Sequence, residues 1–133
     1  MLGTCSRAAV LQAYAAADLL VVPSRAETYG LVVGEALAAG VPVLATAAGG
    51  LPEALGSTAD GMPGLLIPPE DPAALATALA RWLTDDGLRR RLRAAALRRR
   101  ATVPDWRSTG ARIRAVLAAV QAEIGPREAR VAR

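Results

Sequence analysis

The run from Pro23 to Glu53, PSRAETYGLVVGEALAAGVPVLATAAGGLPE, leaves little freedom over what can surround it. Leu19–Val22 is a short apolar run that stops at Pro23. A loop carrying Arg25 and Glu27 follows, then a Gly-led helical segment over Gly30–Ala39, with Gly40 placed to cap its carboxyl end. Val43–Thr46 is a second apolar run, and Gly49–Gly50 opens a second loop. Strand, loop, helix, strand, loop is one crossover unit of a parallel sheet. Four unbroken apolar residues between turn signals predict strands covered on both faces.

The flanking sequence extends this α/β pattern. Ser6 is placed to cap a helix over Ala8–Ala17, with Val10, Leu11 and Tyr14 at helical spacing. Pro52 suits the first turn of a short helix over Leu51–Leu55. Residues 56–64, GSTADGMPG, read as a mobile polar loop, and Leu65–Ile67 as a third short strand closed by Pro68–Pro69. Asp71–Pro72 starts a helix to about Leu83, with Leu75, Leu79 and Leu83 on one face. Asp85 or Asp86 caps the next. After Pro104 a last helix carries Ile113, Val116, Leu117, Val120 and Ile124 as one apolar stripe. The reading is a partial Rossmann-like parallel sheet of three to four strands with flanking helices and a helical carboxyl-terminal half. It forms one domain over residues 1–124, with a frayed tail over 125–133.

Length and composition narrow the function classes. A chain of 133 residues makes one domain with a core, and 3% aromatics means that core is Leu, Val and Ala. The net charge is +4, and every basic residue is Arg, which together with the abundant Ala points to codon bias rather than nucleic-acid binding. The absence of His excludes a Ser-His or Cys-His triad within the chain. Cys5 is the single cysteine, so no internal disulfide forms and nothing points to secretion. No apolar stretch reaches the ~20 residues that span a bilayer. The cytoplasm, or its membrane face, is the expected location.

In an open parallel sheet, ligands collect where strand carboxyl ends meet helix amino ends. Glu27, Tyr29, Gly30, Gly49 and Gly50 all fall at that edge. The helix start near Gly30 offers free N–H groups and a positive dipole end to an anion, unless the glycine merely makes the turn. Glu35 stands amid Leu31, Val32, Val33, Ala36 and Leu37, about 7.5 Å along the axis from Gly30. A carboxylate there accepts two vicinal sugar hydroxyls at once, or it is a surface Glu, solvated or paired with Arg25. Glu27 either meets sugar hydroxyls or is a helix-start carboxylate favoured by the dipole. Arg25 either neutralises phosphate or pairs with Glu27. Gly49–Gly50 is either a ligand loop facing the same crevice or a plain turn. Taken together these residues describe a site for an anionic, hydroxyl-rich ligand, with a nucleotide sugar expected.

The run PSRAETYGLVVGEALAAGVPVLATAAGGLPEAL, with GLLIPPEDPAALATAL behind it, resembles the donor-binding domain of the retaining family-4 glycosyltransferases of the GT-B fold, over roughly Leu11 to Trp106. Those enzymes carry two Glu residues at the separation of Glu27 and Glu35. The resemblance implies that Glu27 contacts the donor sugar as the catalytic carboxylate and that Glu35 holds ribose hydroxyls. It implies that amides at Tyr29, Gly30 and Leu31 meet the diphosphate or sugar, with Gly49–Gly50 nearby. A UDP-, GDP- or ADP-sugar donor is implied, with retained anomeric configuration and no cofactor or metal. The family's acceptor-binding half, its opening donor-domain strands and the Arg/Lys pair expected on the diphosphate have no counterpart here. The chain therefore reads as a fragment, a truncated product or one piece of a split enzyme, without turnover alone and with its amino-terminal acceptor domain in cis or in trans.

Two rival readings accompany it. The chain is a non-catalytic interaction module, or inactive remnant, that self-associates through an exposed sheet edge. Or the run RRRLRAAALRRR (Arg89–Arg100) binds polyanions or anionic lipid. At 100° per residue Leu88, Leu92 and Ala95 share one face of that run, and no aromatic lies between the arginines to stack on bases. A solvated face whose Arg stems cover apolar surface explains it better than nucleic acid does.

Overall fold

The structure, a computed structural model, describes residues 3–59, 61–103 and 106–124, without the side chains of Trp106 and Ile124. The chain divides into two compact units, residues 1–103 and 104–133. The first is an α/β layer structure of three parallel strands in the order β1 (Leu20–Val22), β2 (Val43–Thr46), β3 (Gly64–Ile67). In register, Val22 lies beside Ala45, and Ala45 beside Leu66. The helices are α1 (Arg7–Ala16), α2 (Leu31–Ala38), α3 (Leu51–Leu55), α4 (Pro72–Thr84) and α5 (Asp86–Arg100).

The central strand β2 is buried along its whole length, as its unbroken apolar sequence predicts. Its side chains alternate between layers, because successive Cβ atoms point to opposite faces. Val43 and Ala45 join the core with Val33, Ala36 and Leu37 of α2, Leu51 and Leu55 of α3 and Ala96 of α5. Leu44 faces the other way, onto Ile67 and onto Ala78 of α4. Strand β1 departs from expectation. It is an edge strand among the described residues, with Val21 37% exposed, so it is not covered on both faces.

Local chemistry sets the helix ends as the sequence suggests. Ser6 Oγ accepts from Ala9 N, Asp71 Oδ1 from Ala74 N and Asp85 Oδ1 from Leu88 N. The Leu88 bond is the main reason the Asp85 carboxyl is held below its ordinary range. Leu75 and Leu79 pack against the core as predicted, beside the buried Ala78 and Trp82, but Leu83 is 71% exposed. Trp82 packs with Leu88 and Leu92 of α5, and that large indole sets the rotation of α4.

Several arginines of α5 have structural work. Arg89 donates to the carbonyls of Trp82 (2.8 Å) and Leu83 (2.7 Å), closing the open end of α4, and it also pairs with Asp86. Arg93 pairs with Asp18, and Arg99 donates to Leu55 O at the end of α3. Leu88, Leu92 and Ala95 form the buried face as read from the sequence, joined by Ala96.

The 56–64 loop closes on itself through an isolated bridge between Thr58 and Gly61, while Asp60 lies outside the described residues. In the second unit, α6 (Trp106–Ile124) is a helix of 19 residues. Its stripe of Ile113, Val116, Leu117 and Val120 is exposed. The predicted tail over 125–133 lies outside the described residues. Among the described residues no helix is long and apolar enough to cross a membrane.

Candidate functional site

Three loops meet at the carboxyl edge of the sheet: the one after β1, the Ala48–Gly49 turn after β2, and Pro68–Glu70 after β3. They enclose an open cavity of about 440 Å³ lined by Arg25, Ala26, Glu27, Thr28, Ala48, Gly49 and Pro69. That volume suits a small organic ligand. The edge is held from below by Thr46, a buried side chain whose hydroxyl donates to Ser24 O at 2.5 Å. One hydrogen bond thus ties the end of β2 to the loop leaving β1.

The glycines explain how the loops come so close. Gly49 sits at φ 52°, and a Cβ on it would stand 1.9 Å from Glu27 O. A Cβ on Gly50 would stand 2.5 Å from Thr28 O, and Gly50 N donates to Glu27 O at 3.0 Å. The Gly49–Gly50 pair is therefore packed against the backbone of Glu27–Tyr29, with Gly49 also facing the cavity. Gly30, the residue before α2, is left-handed at φ 80° and has Leu51 and Ala54 of α3 close to where a Cβ would be.

Glu27 turns its carboxylate onto the amino end of α2. Its Oε1 accepts from Gly30 N at 3.3 Å and Tyr29 N at 3.4 Å, where the helix dipole favours negative charge. Two of the amides expected to meet an anionic ligand are thus held by the chain's own carboxylate. Arg25 does not pair with Glu27. It pairs with Glu70 at 3.4 Å, both side chains being largely exposed. Glu70, at φ 58°, is the one non-Gly left-handed residue among those described.

Glu35 corrects a premise of the sequence reading. The helix buries Val33, Ala36 and Leu37, a stripe at i, i+3, i+4, and leaves Leu31 67% and Val32 40% exposed. Glu35 shares the exposed side, so it is not a carboxylate enclosed by apolar packing. It is not solvated alone, however, and it is not paired with Arg25. Tyr14 of α1 donates its hydroxyl to Glu35 Oε2 at 3.1 Å, with Val32 O a longer alternative at 3.4 Å. Burial, and then the Glu35 bond and charge, push the Tyr14 phenol from 10.0 up to about 12.

The structure therefore brings Arg25, Glu27 and Gly49 to one cavity, with Gly50 packed against the backbone of Thr28 beside them and Gly30 packed against α3. Glu35 and Leu31, on the exposed side of α2, and Tyr29, 69% exposed in the loop before it, lie outside the cavity lining. Sequence reading missed Thr46, Glu70 and the role of Tyr14. Tyr14 is visible in sequence only as one apolar-spaced residue of a helix. Its partner lies 21 residues away and emerges only when α1 docks on α2.

A direct consequence concerns alkaline pH. The folded phenol stays neutral where the unfolded one ionises, so its contribution to stability is complete below about pH 10 and is lost as pH rises towards about 12. In a Tyr29→Phe background, ultraviolet titration should show a single phenol ionising near 12, moved down towards 10 by Glu35→Gln. An unmoved phenol would dismiss the pair.

Groups of three or more His, Cys, Asp or Glu able to hold a metal ion do not occur among the described residues.

Comparison with known proteins places this geometry. Residues 1–99 match the family model for Glycosyl transferases group 1. The chain is 42% identical over 105 residues to D-inositol 3-phosphate glycosyltransferase of Thermobifida fusca, covering 79% of this chain and 23% of that protein. It is 39% identical over 112 residues to the sulfoquinovosyl transferase SQD2 of Arabidopsis thaliana, covering 84% and 22%. The chain thus spans under a quarter of the length of these two relatives. Among solved structures, sucrose-phosphate synthase from Thermosynechococcus elongatus superposes with a TM-score of 0.73 at 36% identity, over 89% of this chain and 30% of that one. Anabaena HepE in complex with UDP also superposes at 0.73, at 27% identity, over 85% and 30%. A parallel sheet with its loops gathered at the carboxyl edge, matched over three quarters of its length, makes this chain a member of the Glycosyl transferases group 1 family, with the Rossmann-like architecture of the GT-B fold.

Proposed function

We propose that this chain binds a nucleoside-diphosphate sugar at the carboxyl edge of its sheet, as the donor-binding part of a retaining glycosyltransferase. The observation that carries the reading is the Glu27 carboxylate seated on the amino end of α2 at the wall of a cavity about 440 Å³ in volume. A helix start that already holds one anion can hold another. On arrival of the donor, its phosphate takes the Tyr29 and Gly30 amides, aided by Leu31 N and by Arg25 released from Glu70. The displaced Glu27 carboxylate then accepts from the donor sugar's hydroxyls beside the reacting carbon. Glu35, further along the helix, accepts from the ribose. Amides, helix dipole and Arg25 meet the diphosphate charge in place of a metal.

The base is a uracil, guanine or adenine, and UDP is the first probe because the Anabaena relative is solved with it. Orientation of the acceptor and exclusion of water need a second lobe, supplied in cis or in trans, so the chain alone binds without turning over. The arginines of α5 that close α3 and α4 are better explained as structural than as a polyanion surface.

The test is an amide NMR titration with UDP and UDP-glucose. Shifts are expected at Tyr29–Leu31 with affinity of roughly millimolar, as suits a partial site, and Glu35→Ala should weaken them by at least about fivefold. No response at those amides at tens of millimolar (~10-fold above that value) would end the reading.

A further inference from the structure

We propose that Tyr14 is the positioning residue for Glu35, fixing one carboxylate oxygen across the α1–α2 contact and leaving the other to accept ligand hydroxyls. The inference rests on the donor-binding reading above and extends it to a residue on a separate helix. A surface glutamate samples several rotamers, and binding through it must first restrict them. Here the restriction is in place beforehand. The Tyr14 hydroxyl lies 3.1 Å from Glu35 Oε2, and it is the side-chain partner of Glu35 among the described residues. A phenol carries one proton to donate. The shorter contact is to the carboxylate, and Val32 O at 3.4 Å is the longer one.

The anchoring of α1 makes the arrangement directional. No residue of α1 is fully buried, and Tyr14 is the helix residue that packs partly against the main core. Its ring is held by that core while its hydroxyl reaches the exposed face of α2 (Leu31–Ala38). Glu35 is thus aimed by a group the core fixes in place. A phenol remains a donor throughout the neutral range, and here burial and Glu35 extend that range by pushing Tyr14 up to about 12.

The experiment compares Tyr14→Phe with the unmodified chain in amide titrations using UDP and 2′,3′-dideoxy-UDP, which lacks both ribose hydroxyls. The unmodified chain should prefer UDP. Tyr14→Phe keeps the ring and should leave the protein folded, weaken UDP by about fivefold and leave the dideoxy compound unaffected. Equal weakening of both compounds would show that the ring merely props the fold, and unchanged UDP affinity would show that Glu35 needs no aiming; either overturns the proposal. Should the unmodified chain bind neither compound, the donor-binding reading itself falls, and the role of Tyr14 with it. That outcome is told apart because it is decided before any variant is made.

Discussion

Replacing Gly49 by alanine is expected to cost at least ~3 kcal/mol, or to prevent folding outright. Two independent penalties coincide there. The residue sits at φ 52°, where an L side chain costs roughly 1–2 kcal/mol. Its new Cβ would also lie 1.9 Å from Glu27 O, a backbone atom that cannot rotate away. Relief requires the Glu27–Thr28 segment to retreat, which breaks the 3.0 Å bond from Gly50 N to Glu27 O and unseats the carboxylate from α2. Urea denaturation followed by far-UV circular dichroism measures the cost. A loss below ~1 kcal/mol would show the two loops to be further apart than described.

Trp82→Ala is the complementary case, expected to cost about 3–5 kcal/mol while leaving ligand response intact wherever the variant stays folded. Trp82 is 7% exposed and packs with Leu88 and Leu92, so truncation opens a cavity between α4 and α5. It lines a groove with Asp18, Arg89 and Arg93 towards the amino end of the strands, away from the loops that carry Glu27. The Arg89 bonds to the Trp82 and Leu83 carbonyls are to backbone and survive the change. The reading is a urea midpoint together with a UDP titration at low temperature. A small stability change, or a lost UDP response in folded protein, would contradict this separation of core from site.

The two variants also mark what a one-dimensional reading can reach. Gly49 was visible as a loop glycine after a buried strand, but its necessity depends on a carbonyl from another loop. Trp82 was passed over for Leu83 because helical spacing identifies a face without saying which of two adjacent apolar residues the neighbouring helix will take. The larger indole, buried with Leu88 and Leu92, decided the rotation.

By itself the sequence determined the order of elements, the parallel sheet, the capped helix starts at Ser6 and Asp71, a third at Asp85 or Asp86, and the gathering of Glu27, Gly30 and Gly49 at one edge. These follow from local periodicity and turn chemistry, which act over a few residues. Tertiary structure alone decided that Glu27 accepts from the Tyr29 and Gly30 amides just ahead of α2, that Arg25 pairs with Glu70, that β1 is an edge and that Glu35 is held by Tyr14. Polar side chains have several partners of similar energy within reach, and only the packed arrangement of separate elements selects among them.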